Sequence, residues 1–391
     1  MSDIYLRPQL AAQMAQQLLK PTVLDVGLRS GLFLSGLRRT GKTTFLRNDL
    51  IPALEMAGAL VIYVDLWSDT QTSPAKLVNS VIRKTLEDLL TPTSSLLAKL
   101  KYIKGADFGA FGFKFGFKLE SVGLDGGATL AEALTEVVDQ AKTDVVLIID
   151  EVQHAITTDE GNQLLLALKA ARDAINPRPA TPGHFVFIGT GSHRAMVSEL
   201  TARRNQAFAG ATSVPYPVLD EEFVGFLLTK LEKEGFAPLP SIGVAADAFK
   251  MLGSRPEELI RALRQLLLNS PKDKNPDEIL PVIASTLRSA AADVELTKVE
   301  ELGTLAQAIF DRIASTDGDA RGVFSTEAAA EYSKVVGREV RVEEIQPVAN
   351  ELLAANLIMR RGHGIYGITD PFVQEIWREK QIMLGKGPRP Q

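Results

Sequence analysis

The sequence predicts an α/β protein: a parallel-sheet core built round a phosphate-binding loop, an all-helical segment after it, and a tail of three helices and a hairpin. Three observations carry this. Gly36-Leu37-Arg38-Arg39-Thr40-Gly41-Lys42-Thr43 matches the pattern G-x-x-x-x-G-K-[ST] in full. Asp144-Val145-Val146-Leu147-Ile148-Ile149-Asp150-Glu151 is a β-branched apolar run that ends in two acids, the pattern of a strand buried on both faces with carboxylates at its tip. From about residue 220 the strand patterns stop and only helical periodicity continues until a short pair of strand-like runs near residue 360.

The elements follow in order. Leu6, Leu10, Met14 and Leu18 are spaced by four, so residues 6–20 form an amphipathic helix. Gly31–Ser35 is the strand that feeds the glycine-rich loop, and Thr44–Arg47 opens the helix that leaves it. Leu60–Leu66 is a second buried strand. Ser73–Leu90 is a helix with Pro74 in its first turn. Residues 105–127 break the rhythm: Phe111, Phe113, Phe115, Phe117 and Leu119 alternate with glycines and lysines, which predicts an inserted β-hairpin. Its aromatic stripe either packs on its own domain or forms a docking edge. Helices over 128–142 and 161–175 flank the Asp150 strand, and His184–Thr190 is a further core strand. The helical segment comprises 221–235, 244–252 and 256–268, with a Pro-flanked turn over 271–276. The tail comprises helices over 302–315, 326–336 and 342–355, strands over 357–360 and 364–368, and a last helix after Asp370-Pro371. The expected domains are 1–218, carrying the hairpin near 105–127, then 219–295 and 296–391.

The chemistry follows from the residue types. Loop N–H groups and the positive end of a helix dipole converge on a triphosphate, and glycine lets the backbone approach it closely. Gly36, Arg39, Thr40, Gly41, Lys42 and Thr43, with Thr44 at the helix start, are the candidate phosphate cradle. Lys42 reaches the β- and γ-phosphates and Thr43 offers a hydroxyl to Mg²⁺. Asp150 orients the metal and Glu151 polarises an attacking water, so the adjacent acid pair points to nucleotide hydrolysis. Gln153 and His154 follow and can line the same site. Thr190 and Ser192 end the 184–190 strand; nucleotide sensing and plain turn chemistry are both open for them.

Composition narrows the class. The 391 residues carry 45% hydrophobic and 23% charged side chains and a net charge of −5, with no cysteine and four histidines. Disulfides, thiolate metal sites and cysteine nucleophiles are excluded. The N-terminus lacks the basic and apolar layout of a signal peptide, and no apolar run approaches the ~20 residues that span a bilayer. A cytoplasmic protein that does not contact membrane is expected. The negative net charge supplies no global field for nucleic acid.

Together, Gly36–Thr43, Ile149-Asp150-Glu151, Gly189–Ser192, Gly253-Ser254-Arg255-Pro256 and Tyr366-Gly367-Ile368-Thr369-Asp370-Pro371 resemble the AAA+ and STAND P-loop ATPases. The chain looks most like their archaeal-type ATPase group and, more distantly, like archaeal replication initiators. The resemblance implies an AAA+ core, an all-α lid, a C-terminal winged helix, and ATP with Mg²⁺ held between core and lid. It implies that Arg255, next to Pro256 at a helix start, is the lid arginine on the γ-phosphate. It places Arg203 and Arg204 where a neighbour's ATP would meet an arginine finger, and Arg7 in the segment over the adenine. Arg255 is otherwise a capping or surface arginine, and Arg203 and Arg204 are otherwise solvated surface arginines. Expected partners are ATP and ADP, with a protein partner or self-association. DNA binding is open but not favoured, since the third tail helix carries Glu343, Glu344 and Glu351 against a wing of Arg360, Arg361 and His363. The expected activity is an ATP-hydrolysing switch whose lid and winged helix move with nucleotide state, or alternatively a DNA-associated initiator or transposition loader.

Overall fold

A computed structural model describes residues 4–69, 71–104, 113–124, 126–202, 206–269, 274–362 and 364–384. The chain divides into two compact units, residues 6–36 with 42–216, and residues 1–5 and 37–41 with 217–391. No helix among the described residues is long and apolar enough to cross a membrane.

The first unit is a five-stranded parallel sheet. Its elements are α1 (Pro8–Leu19), β1 (Leu32–Ser35), α2 (Lys42–Phe45), a π turn (Leu46–Leu50) running into α3 (Ile51–Met56), β2 (Leu60–Asp65), α4 (Pro74–Leu90), α5 (Ser95–Lys104), α6 (Leu130–Ala141), β3 (Val145–Asp150), α7 (Asp159–Ile175), β4 (Phe185–Gly191), α8 (Arg194–Ala202) and β5 (Thr212–Pro215). Strand order is β2-β3-β4-β1-β5. The apolar run of β3 is continuous because both faces are covered: Val145, Leu147 and Ile149 enter one core with α4, α6 and α7, while Val146 and Ile148 enter the other with α1 and α3. All five are fully buried, and at ~1.5–3 kcal/mol for each large side chain taken from water, this strand has no alternative position. The capping box of Thr129 and Glu132 fixes the start of α6.

The expected hairpin near 105–127 lies partly outside the described residues. Residues 105–112 and 125 lie outside the described residues. In residues 113–118 the Lys114 N–H donates to Gln140 Oε1 at 2.8 Å and the Gly116 N–H to Glu136 Oε2 at 3.3 Å, both on α6. Phe113, Phe115 and Phe117 stack in series at 6.0 and 5.5 Å and pack on the sheet's core cluster.

The second unit is helical before it ends in a hairpin. It contains α9 (Glu221–Lys233), α10 (Ile242–Met251), α11 (Pro256–Asn269), α12 (Pro276–Glu301), α13 (Thr304–Ala314), α14 (Thr326–Val336), α15 (Val342–Ala354), β6 (Ile358–Gly362), β7 (Ile365–Ile368) and α16 (Pro371–Met383). Helices α9, α10, α11 and the start of α12 share a core through Phe223, Phe249, Leu259, Leu263, Leu280 and Ala284. The helices α13, α14 and α15 followed by the antiparallel pair β6-β7 form a winged helix. Helix α12 was not expected. Asn275 caps it by accepting from the Asp277 N–H, and Pro276 opens it. It continues through Pro281 for 26 residues.

Candidate functional site

The sheet order builds the site. Strand β4 lies between β1 and β3, with Leu34 beside Thr190, Ser35 beside Gly191 and Ile149 beside Gly189. The carboxyl ends of three strands therefore present the loop, Thr190 and Asp150 side by side, at the edge where ligands bind in open parallel sheets.

Asp150 is fully buried and meets four donors. The Thr43 hydroxyl donates to Oδ2 at 2.7 Å and the Tyr63 hydroxyl to the same oxygen at 3.1 Å. Thr190 Oγ1 donates to Oδ1, as does the Glu151 N–H at 3.1 Å. Burial, with the nearby Asp150 charge, holds the Tyr63 phenol well above its ordinary range, so it stays protonated as a donor. Arg47 lies over the Tyr63 ring at 5.0 Å and pairs with Asp65 at 3.3 Å.

The loop leaves β1 with the Gly36 N–H donating to the Gly191 carbonyl at 3.2 Å. Arg39 and Gly41 take left-handed conformations, with φ of 65° and 88°. Gly41 adopts its φ without steric cost, whereas Arg39 does not. Buried Thr40 donates to the Leu37 carbonyl at 2.9 Å, and buried Lys42 donates to the Gly36 carbonyl at 2.9 Å. Thr44 is exposed on α2.

Glu151 also sits in the left-handed region, at φ 58° and ψ 41°. This bends the chain off β3 and turns the side chain towards the end of β4. Its Oε2 accepts from the Ser192 N–H at 3.2 Å, from Ser192 Oγ at 2.8 Å and from Gln153 Nε2. His154 faces Trp67 instead, ring to ring at 5.6 Å.

Thr43 and Asp150 supply one hydroxyl and one carboxylate oxygen 2.7 Å apart. Two hard oxygens fit Mg²⁺, a cation that keeps waters and takes its remaining ligands from substrate phosphates. Among the described residues no group of three or more His, Cys, Asp or Glu side chains could hold a metal alone.

The other expected residues lie elsewhere. Arg7 stacks on Phe45 and Tyr216 at 4.7 and 5.1 Å, its N–H donates to Asp49 at 2.6 Å, and its guanidinium donates to the Tyr216 hydroxyl. Burial pushes the Tyr216 phenol up to about 12 and raises the Asp49 carboxyl. In the second unit Arg255 stands just before α11, which Pro256 opens, and donates to Asp370 at 2.8 Å. A γ-phosphate contact for Arg255, as the resemblance implies, would compete with that pair. Arg39 pairs with Glu257 at 3.3 Å on the surface of the same unit. Arg203 and Arg204 lie outside the described residues. Sequence reasoning missed Tyr63, Asp49, Tyr216 and Asp370. Tyr63 carried one signal, a polar hydroxyl two residues from the end of an otherwise apolar strand.

With this geometry in place, comparison with known proteins is decisive for the core. Residues 27–197 match the family model of an AAA domain. They are an AAA+ domain of the P-loop kind. The whole chain is similar in fold to the Aeropyrum pernix ORC2 protein in its ADP form, with a TM-score of 0.53 at 12% identity over 98% of this chain and 97% of that one. A structure of the same ORC2 protein in ADPNP-ADP complexes gives a TM-score of 0.48 at 11% identity over 98% of each chain. Cdc6p from Pyrobaculum aerophilum gives 0.35 at 14% identity over 97% of each chain. No curated protein sequence matches significantly.

Proposed function

We propose that this AAA+ protein binds Mg-ATP, hydrolyses it, and uses the nucleotide state as a conformational signal. One observation carries the reading: the Thr43 hydroxyl lies 2.7 Å from Asp150, so the phosphate loop and the acidic strand meet at one point. In this reading the loop N–H groups and Lys42 bind the β- and γ-phosphates. Thr43 and Asp150 would hold Mg²⁺, which neutralises charge that develops on the phosphate oxygens. Thr190, Tyr63 and the Glu151 N–H fix the Asp150 carboxylate. Glu151 accepts a proton from the attacking water as its oxygen bonds to the γ-phosphorus, while the bond from that phosphorus to the β–γ bridging oxygen breaks and ADP leaves. In this reading movement of the helical segment and the winged helix is the output of nucleotide state.

The test is hydrolysis by purified protein. Lys42→Ala should weaken ATP binding, and Glu151→Gln should keep binding while slowing turnover by ~10²–10⁴-fold, the usual contribution of a positioned base. Unchanged turnover in both variants would refute the reading. Size measurement with a slowly hydrolysed ATP analogue, repeated after mutation of Arg203 and Arg204, tests self-association through an arginine finger.

A second reading is DNA association through the winged helix that α13, α14, α15 and the β6-β7 pair form. Local charge weighs against it. Arg361 pairs with Asp319 at 3.4 Å, Arg360 donates to the Tyr366 hydroxyl at 3.0 Å, and Arg338 pairs with Glu344 at 2.8 Å. Salt-dependent duplex binding lost on Arg360→Ala and Arg361→Ala would favour it; no mobility shift at low salt would remove it.

A further inference from the structure

Glu151 is held in place by two side chains that come from different segments. Ser192 closes on it from the end of β4, giving both its N–H, at 3.2 Å, and its hydroxyl, at 2.8 Å. Gln153, two residues further along the turn after β3, gives its amide N–H. All three donors meet Oε2. Among the described residues no donor reaches Oε1, which leaves that oxygen to face a water. We propose that Gln153 and Ser192 form a positioning clamp for the general base, fixing one carboxylate oxygen so that the other carries the proton transfer. The proposal rests on the hydrolytic reading above.

Three further observations point to positioning rather than packing. Gln153 is only 4% exposed, and its Oε1 has no hydrogen-bond partner among the described residues. A buried acceptor without a partner destabilises a fold, so an apolar side chain of the same shape would serve packing better. The backbone of Glu151 is itself in a conformation that costs a non-glycine residue energy, and such strain collects at functional sites. Space is also reserved for the amide. A Cβ at Gly191 would stand 2.2 Å from Gln153 Oε1 and 2.5 Å from a Val197 methyl, so only glycine at that strand end admits the clamp. A Ser192 that holds Glu151 differs from one that senses phosphate: it changes turnover, not nucleotide affinity.

The experiment measures kcat, KM for ATP and Tm of the full chain for Gln153→Met, Gln153→Glu, Ser192→Ala and Ser192→Thr, alone and in the Glu151→Gln background. Gln153→Met keeps the volume and removes the donor. Its kcat should fall about 10- to 100-fold, the scale of a misplaced catalytic group, with KM within about twofold and Tm not lowered. Gln153→Glu sets a second carboxylate against Oε2 and should lose more. Ser192→Ala should lose kcat, and Ser192→Thr, which keeps the hydroxyl, should lose less. With Glu151→Gln already present, Gln153→Met should add almost nothing, because its effect runs through Glu151. Turnover within about twofold of wild type for Gln153→Met and Ser192→Ala overturns the clamp. So does an equal further loss in the Glu151→Gln background, or a rise in KM with kcat unchanged. A wild-type protein that binds ATP without turning it over overturns the hydrolytic reading itself, which is a different result.

Discussion

Asp370 does two jobs with two oxygens. Oδ1 accepts from the Phe372 N–H at 3.0 Å and so caps α16, while Oδ2 accepts from Arg255 at 2.8 Å. The Arg255 and Asp370 side chains are 23% and 18% exposed, between the surface and buried regimes of ion pairs. Losing an N-cap acceptor costs about 1 kcal/mol. Breaking a pair at this depth, which strands a guanidinium whose Nε has no partner among the described residues, costs about 2 kcal/mol. Asp370→Ala loses both, about 3 kcal/mol. Asp370→Asn keeps the cap oxygen and loses only the charge, about 2 kcal/mol. Arg255→Ala removes the stranded cation along with the pair and should cost nearer 1 kcal/mol. The assay is urea unfolding in a Trp67→Phe background, where Trp377 becomes the only tryptophan. Trp377 lies on α16 and donates to Asp311 at 2.6 Å, so its emission reports this unit. A double-mutant cycle of Arg255→Ala with Asp370→Asn should give a coupling of about 1–2 kcal/mol. Equal losses for Asp370→Ala and Asp370→Asn would refute the cap, and a cycle that closes to zero would refute the pair.

Three other outcomes are expected. Burial raises the folded pKa of Asp49 above its unfolded value, offset in part by the hydrogen bond and charge of Arg7. The stability it contributes is therefore present below the unfolded pKa and lost as pH rises through the folded one. Asp49→Asn should then melt higher than wild type at neutral pH, with the gap closing towards about pH 4, where the carboxyl is protonated in both states; a gap independent of pH would refute this. Tyr63→Phe removes one donor to Asp150 and should cost about 1.5–3 kcal/mol by thermal or urea unfolding, the range for hydrogen bonds to a charged group. No loss would mean that Thr43 and Thr190 already satisfy that carboxylate. Gly189→Ala places a Cβ 2.8 Å from the Phe33 ring, so it should destabilise by about 1–3 kcal/mol in the same assay, and a neutral result would show that the ring can move aside.

What the sequence revealed depended on whether the information was local. Gly36–Thr43 was legible because a phosphate cradle needs those residue types in one unbroken loop. Asp150 and Glu151 were legible because a strand buried on both faces must be apolar until it reaches the ligand edge. Tyr63, Ser192 and Gln153 were not, as contacts of the acids, because the strand order that brings β2, β3 and β4 together is a non-local choice. The alternation of Phe113, Phe115 and Phe117 does not by itself name its partner, for a related reason. Period two reports an extended chain with one buried side, and it is the same whether a strand or the side chains of α6 satisfy the backbone. Helix α12 escaped because it buries different faces along its length: Leu280, Ala284 and Leu287 enter the core shared with α9 to α11, and no single stripe continues to Glu301. Pro281 hid it further.

In the hydrolytic reading proposed above, the two adjacent acids have opposite tasks, and their hydrogen bonds differ accordingly. Asp150 is met on both oxygens, by Thr43 and Tyr63 on Oδ2 and by Thr190 and the Glu151 N–H on Oδ1. A carboxylate met by donors on both oxygens is held in place, which suits an anchor for a cation. Glu151 is met on one oxygen only, and a left-handed turn swings it away from its neighbour towards β4. The lateral order β1-β4-β3 is what allows this division, since the strand between the loop and the acids delivers Thr190 to one and Ser192 to the other, two residues apart. Exchanging those two side chains, by making Thr190→Ser with Ser192→Thr, keeps every hydroxyl and should therefore preserve most turnover, whereas Thr190→Val should disturb Mg²⁺ dependence and Ser192→Ala should disturb kcat. If both single deletions changed the same parameter, the two acids would be working as one group and the division of labour argued from their donors would be wrong.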